Sequence, residues 1–160
     1  MQTLLCTMFE YKAWANHELL MALEALTQEK HPRQLHEAKR ILNHVYVVDK
    51  IFEANLQRKL HPYNALNTSD TPLLAALRAQ VAQLDAWFIQ YVSTLSDSDL
   101  AEEINFLFVD GTPGCMKRGE MLLHLLTHGN YHRGAVGRIL TEIQITPPKD
   151  SLTVFLHSKA

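Results

Sequence analysis

Four long stretches of the chain repeat apolar residues at three- and four-residue intervals, the spacing that gives an α-helix one apolar face. The first runs from about Thr3 to Leu26 and carries Leu5, Met8, Phe9, Ala15, Leu19, Leu23 and Leu26 in that register. The second runs from about Arg33, just after Pro32, to Leu60, just before Pro62, with both prolines where boundaries are expected. In the third, Thr71 is the expected N-cap and Pro72 the first helical residue, and the pattern reaches about Leu95. The fourth spans about Gly119 to Ile143, ahead of Pro147 and Pro148. No such helix can bury its apolar face alone, so the set predicts an all-α four-helix bundle. Between the third and fourth helices, the β-rich run Ile104 to Val109 meets Asp110-Gly111. That signal predicts a short hairpin or extended excursion. Asp150 is expected to cap a short amphipathic tail, SLTVFLH.

A chain of 160 residues suits one domain, 1–160, and 47% hydrophobic with 20% charged residues describes a globular protein. The formal net charge is −2 and no basic block stands out, which argues against nucleic acid as a partner. No apolar run approaches membrane-spanning length. The N-terminus lacks a basic leader and is interrupted by Glu10 and Lys12, so it does not read as a signal peptide. Cys6 and Cys115 belong to no C-x-x-C pair and read as reduced thiols, and a cytoplasmic location is expected.

Histidine is the one marked excess, with nine copies. The segment HLLTHGNYH sets His124, His128 and His132 four residues apart, which makes them neighbours on one helical face. Chance yields such a triplet about 0.03 times in a chain of this composition. Two imidazoles at that spacing converge on one ion at nitrogen–metal distances of about 2.0–2.1 Å. On a helical wheel His132 falls within the apolar stripe, His128 on its flank and His124 farther toward solvent. A core ion therefore takes His128 and His132. The third ligand must come from another helix, and His44 in ILNHVYVVDKIF lies within the apolar arc of Ile41, Val48 and Ile51. Arg40, Asn43, Tyr46, Lys50 and Glu53 define the wet side of that helix. Three neutral imidazoles leave a coordination position open, the pattern of a catalytic rather than a closed structural ion. The competing reading is a set of hydrogen-bonded core histidines with no ion.

Asp49 lies about one turn beyond His44 on the apolar side, as a candidate catalytic base or imidazole-orienting group. The alternative is an ion pair with a neighbouring helix, Arg133 being the candidate partner. An H-E-x-x-H zinc peptidase is excluded, because Leu125 or Gly129 stands where the glutamate belongs. A di-iron bundle is excluded by the lack of Glu-x-x-His pairs.

These residues resemble the DinB family. LLHLLTHGNYHRGAVGRIL is similar to that family's H-x-x-x-H-R-G-Q signature, and FEYKAWANHELL and ILNHVYVVDKIF resemble its first two helices. The ending TPPKDSLTVFLH is similar to its tail, so the resemblance spans essentially the whole chain. It implies a DinB/YfiT-like four-helix bundle in which His44, His128 and His132 bind one divalent ion, nickel or zinc first, iron or manganese next. It also implies a homodimer and, as in some related bundles, a low-molecular-weight thiol as co-substrate. Ala135 departs from the pattern, since glutamine usually follows H-R-G. The expected function is that of a metal-dependent enzyme acting on a small electrophilic substrate, thiol transferase-like or hydrolase-like. The alternative is a non-catalytic metal-binding stress-response or sensor protein.

Overall fold

The computed structural model describes residues 2–26 and 30–158. It is a helical bundle with a small two-stranded sheet, built from α1 (Gln2–Glu24), α2 (Pro32–Leu56), α3 (Leu74–Ser93), α4 (Asp97–Ala101), β1 (Glu103–Leu107), β2 (Pro113–Lys117), α5 (Arg118–Glu142) and α6 (Leu152–Ser158). The four long helices follow the apolar periodicity. α1 packs chiefly on α3 and α2 on α5. The layers close over Phe9, Val47, Phe88, Leu122 and Leu125 at one end and Leu23, Ala38, Leu77, Val136 and Leu140 at the other.

Several boundaries differ from expectation, each for a local reason. α2 stops at Leu56 rather than Leu60, because Arg58 takes a left-handed backbone (φ 57°) and the Lys59 amide turns back onto the Ala54 carbonyl. α3 starts later than expected. Its N-cap is Leu73, in extended conformation and without a side-chain cap, so Thr71 and Pro72 lie outside the helix. The preceding segment is pinned to α2, Arg40 donating to the Thr68 carbonyl at 2.6 Å and Asn43 to Asn67 at 2.5 Å. That anchoring keeps the chain out of helix until it clears α2. α4 is a short addition, opened by a capping box between Ser96 and Asp99.

The excursion is an antiparallel hairpin, with Glu103 opposite Lys117 and Leu107 opposite Pro113. Its turn uses Gly111 at φ 84°, a conformation that favours glycine. The tail folds as α6, but Asp150 does not cap it. The Ser151 hydroxyl sits at the helix start and accepts from Val154 N at 3.4 Å, while the Asp150 carboxylate reaches into the bundle. Phe155 seats the tail against Tyr11 and Ala15. Among the described residues no helix is long and apolar enough to cross a membrane.

Candidate metal centre

α2 and α5 bring three imidazoles together where the two helices pack. His44 comes from the middle of α2, and His128 and His132 come from successive turns of α5. One ring nitrogen from each lies within 4.8 Å of the other two. Ring centroids are 5.0 Å apart for His44–His128, 4.8 Å for His44–His132 and 4.5 Å for His128–His132, all near edge-on.

The tautomer of His44 is fixed by its surroundings. Its Nδ1 lies 2.7 Å from the Leu66 carbonyl oxygen, which can only accept, so Nδ1 carries the proton and Nε2 presents its lone pair. That Nε2 faces His128 Nε2 at 3.1 Å. Bonds of 2.0–2.1 Å at a tetrahedral angle separate two ligand nitrogens by about 3.3 Å, so the spacing fits one shared ion. In the bare protein the same spacing serves an N–H···N hydrogen bond. His128 Nδ1 is buried without a hydrogen-bond partner.

Electrostatics keep the two α5 imidazoles in their ligand form. Burial, with the neighbouring imidazoles His132, His44 and His124 and the Lys12 ammonium, pushes the His128 pKa down to about 3. Burial also lowers His132, with His44 adding to it. Neutral imidazoles are the form that binds metal. Donors of this type suit zinc, nickel, iron or copper better than calcium or magnesium.

The wheel misplaced two neighbours. His124 does not point to solvent: it is half-buried, its ring stacked on Phe52 at 5.0 Å, and it stays outside the group of three. Asn43 is not on the wet side. It is buried and donates to Asn67 and Thr68, and Asn67 in turn donates to the Arg40 carbonyl. This loop carries the Leu66 carbonyl that holds His44, so Asn43 supports the site from behind. Sequence periodicity on α2 could not reveal it, because the partner is a loop.

Asp49 is buried, but no hydrogen bond joins it to the triad. It is paired with Lys12 of α1, Nζ to Oδ2 at 2.7 Å, rather than with Arg133. Lys12 also meets Asp85 of α3 at 2.7 Å, and Asn16 donates to Asp85 at 2.8 Å. Burial raises the Asp49 pKa to about 6 against the opposing pull of Lys12. Arg133 is buried as well. Its guanidinium donates to Asp150 at 2.7 Å, to Asn16 at 3.1 Å and to Asn130. Gly129 makes this layer feasible, since a Cβ there would stand 3.2 Å from Arg133 Nη1 and 3.6 Å from Lys12 Cε.

The family model described as "DinB family" matches residues 1–159 of the chain. No curated protein matches it.

Proposed function

The chain belongs to the DinB family, and on that premise we propose that it holds one divalent ion on His44, His128 and His132 and acts on a small electrophilic substrate. The observation that carries the reading is the aim of His44. A backbone carbonyl at 2.7 Å commits its Nδ1 proton, leaving Nε2 to face His128 Nε2 at 3.1 Å. A hydrogen-bonded pair would account for His44 and His128 alone, whereas His132 brings a third ring nitrogen within 4.8 Å of both. Nickel and zinc are the first candidates, iron and manganese the next.

When bound, such an ion supplies Lewis acidity, polarising a substrate or lowering the pKa of a thiol or water that attacks it. The chain's own residues set the conditions. His44 is oriented through the Leu66 carbonyl, and burial keeps His128 neutral. The three histidines are each half-buried rather than sealed, so the group is partly open to solvent. This access supports turnover over a sealed storage site, with a low-molecular-weight thiol or water as nucleophile. Asp49, engaged by Lys12, then serves the scaffold under the site rather than the reacting atoms.

The test has two parts. Metal analysis of tag-free protein is expected to give one equivalent per chain, lost in His44→Ala, His128→Ala and His132→Ala. Stoichiometric metal in all three variants would sink the site. Metal-loaded protein is then screened against small electrophiles with several thiols and with water alone. One equivalent of metal with no turnover in any arm replaces the enzyme reading with that of a metal-binding sensor or stress protein.

A further inference from the structure

The two imidazoles that face each other across the helices are held in different ways. His44 is turned by the Leu66 carbonyl, which takes its Nδ1 proton at 2.7 Å. His128 has no such grip, because its Nδ1 is buried and makes no hydrogen bond. A ligating histidine ordinarily donates its second ring nitrogen to a carboxylate, a carbonyl or water, and that bond fixes the ring. Without it the torsion that turns an imidazole about its Cβ–Cγ bond is broad. His128 therefore needs another kind of support.

His124 stands where that support is needed. It lies one turn earlier on α5, half-buried, with its ring 5.4 Å from that of His128 and 26° from parallel. The three histidines of the group meet one another at 64° to 74° instead. A ring nearly parallel to its neighbour shows it a face, not the in-plane lone pairs that bind metal. The place of His124 outside the group of converging nitrogens agrees with this. Among the described residues its imidazole makes no hydrogen bond.

His124 is itself held. Its ring also stacks on Phe52 of α2, at 5.0 Å and 27°. Phe52 is buried and meets Phe106 of the hairpin at 6.1 Å. A row of rings, Phe106, Phe52, His124 and His128, thus runs from β1 to the histidine group. It crosses between α2 and α5, the same two helices that carry His44, His128 and His132. Offset stacked pairs with centroids 4.5–7 Å apart are favourable beyond the area they bury, so each contact in the row resists rotation of the next ring.

We propose that His124 is a positioning residue for His128, a role that rests on the proposed metal site. Its ring, clamped by Phe52, fixes the orientation of the His128 imidazole toward His44 and His132. The role belongs to the flat ring and not to its nitrogens, which separates it from that of a fourth ligand.

Zinc binding, measured by competition with a chromophoric chelator, tests it at pH 8. That is above the ordinary imidazole pKa of about 6.5, so protons do not compete. His124→Leu fills the space without a flat ring. It is expected to weaken zinc about three- to tenfold, the scale of a lost aromatic pair, with one equivalent still bound. His124→Phe keeps the ring and lacks the nitrogens, and is expected to stay within about twofold of wild type. Phe52→Leu, which releases the clamp, is expected to fall between them. Circular dichroism melts report whether each variant is folded, and Phe52→Leu decides if His124→Leu is not. Wild-type affinity in the leucine variants overturns the proposal. So does a His124→Phe variant as weak as His124→Leu, or one that loses the metal, because a nitrogen of His124 is then the active part.

A second readout needs no metal. In the metal-free protein the ring current of His124 displaces the ring-proton resonances of His128 in NMR spectra. The displacement is expected to persist in His124→Phe and to vanish in His124→Leu. Wild-type protein that takes up no zinc sinks the metal reading. Resonances of His128 that are identical in wild type and His124→Leu sink the positioning role, so the two failures are told apart.

Discussion

Lys12 is the most consequential single residue outside the histidines. Its ammonium is 1% exposed and shares two carboxylates from two other helices, Asp49 and Asp85, at 2.7 Å each. Burying three charges is costly, and the arrangement holds only because each charge has a partner. Removing the cation leaves two like charges in the core. Lys12→Met is therefore expected to lower stability by about 3–5 kcal/mol in urea denaturation. Adding Asp49→Asn to that variant should recover part of the loss. A cost below about 1 kcal/mol for Lys12→Met would mean that the pairing does not hold in solution. The cluster was partly legible in the sequence. Phe9, Lys12, Asn16, Leu19 and Leu23 share one stripe of α1, just as Leu77, Val81, Leu84 and Phe88 frame Asp85 on α3. Charges of opposite sign on the apolar stripes of different helices signal a buried pair, though only the fold selects Lys12 over Arg133 for Asp49.

At the scale of elements, two segments without long-helix periodicity control the site and its support. The loop after α2 carries the Leu66 carbonyl and is tied down by Asn43 through Asn67 and Thr68. Asn43→Ala frees that loop while leaving every proposed ligand in place. Metal affinity is expected to fall by about 10–100-fold in competition with a chromophoric chelator, the usual effect of losing a group that orients a ligand. Unchanged affinity would show that His44 needs no such support. The tail is tied down differently. Asp150 accepts from Arg133 at 2.7 Å and from the Tyr11 hydroxyl, and the burial of Tyr11, with this hydrogen bond and the Asp150 charge adding to it, pushes the Tyr11 pKa up to about 12. Asp150→Ala should release α6, seen as faster hydrogen exchange across residues 152–158 and a loss of about 1–3 kcal/mol. Wild-type exchange rates in the variant would place the anchor in Phe155 packing instead. Neither role could be read from α5 or the tail alone, since Arg133 and Asp150 are joined only by the return of the chain.

At the scale of the whole molecule, the depressed imidazoles couple folding to pH. His128 is held near 3 in the fold, against an ordinary value of 6.5 in the unfolded chain. As pH falls below 6.5, the unfolded chain takes up a proton that the fold refuses. This contribution to stability is therefore full above pH 6.5 and is lost progressively toward pH 3. Metal-free protein is expected to melt at a lower temperature at pH 5 than at pH 7. His128→Asn should flatten the slope, and equal slopes in both proteins would remove His128 as its source. Asp49 acts with opposite sign, so the difference between the two proteins is the quantity to read.

The sequence by itself determined the four long helices, the hairpin and the identity of the three clustered histidines. Each of these rests on short-range rules: apolar spacing along one helix, an Asp-Gly turn, imidazoles one turn apart. It also carried the resemblance that the family match over residues 1–159 bears out. Tertiary structure decided the rest. It covered His124 with Phe52, buried Asn43 under a loop, gave Asp49 to Lys12 and turned Asp150 from a cap into a tether. Those outcomes depend on which elements meet across the bundle, and a helical wheel, which knows only one helix, contains no information about the surface that lands on it.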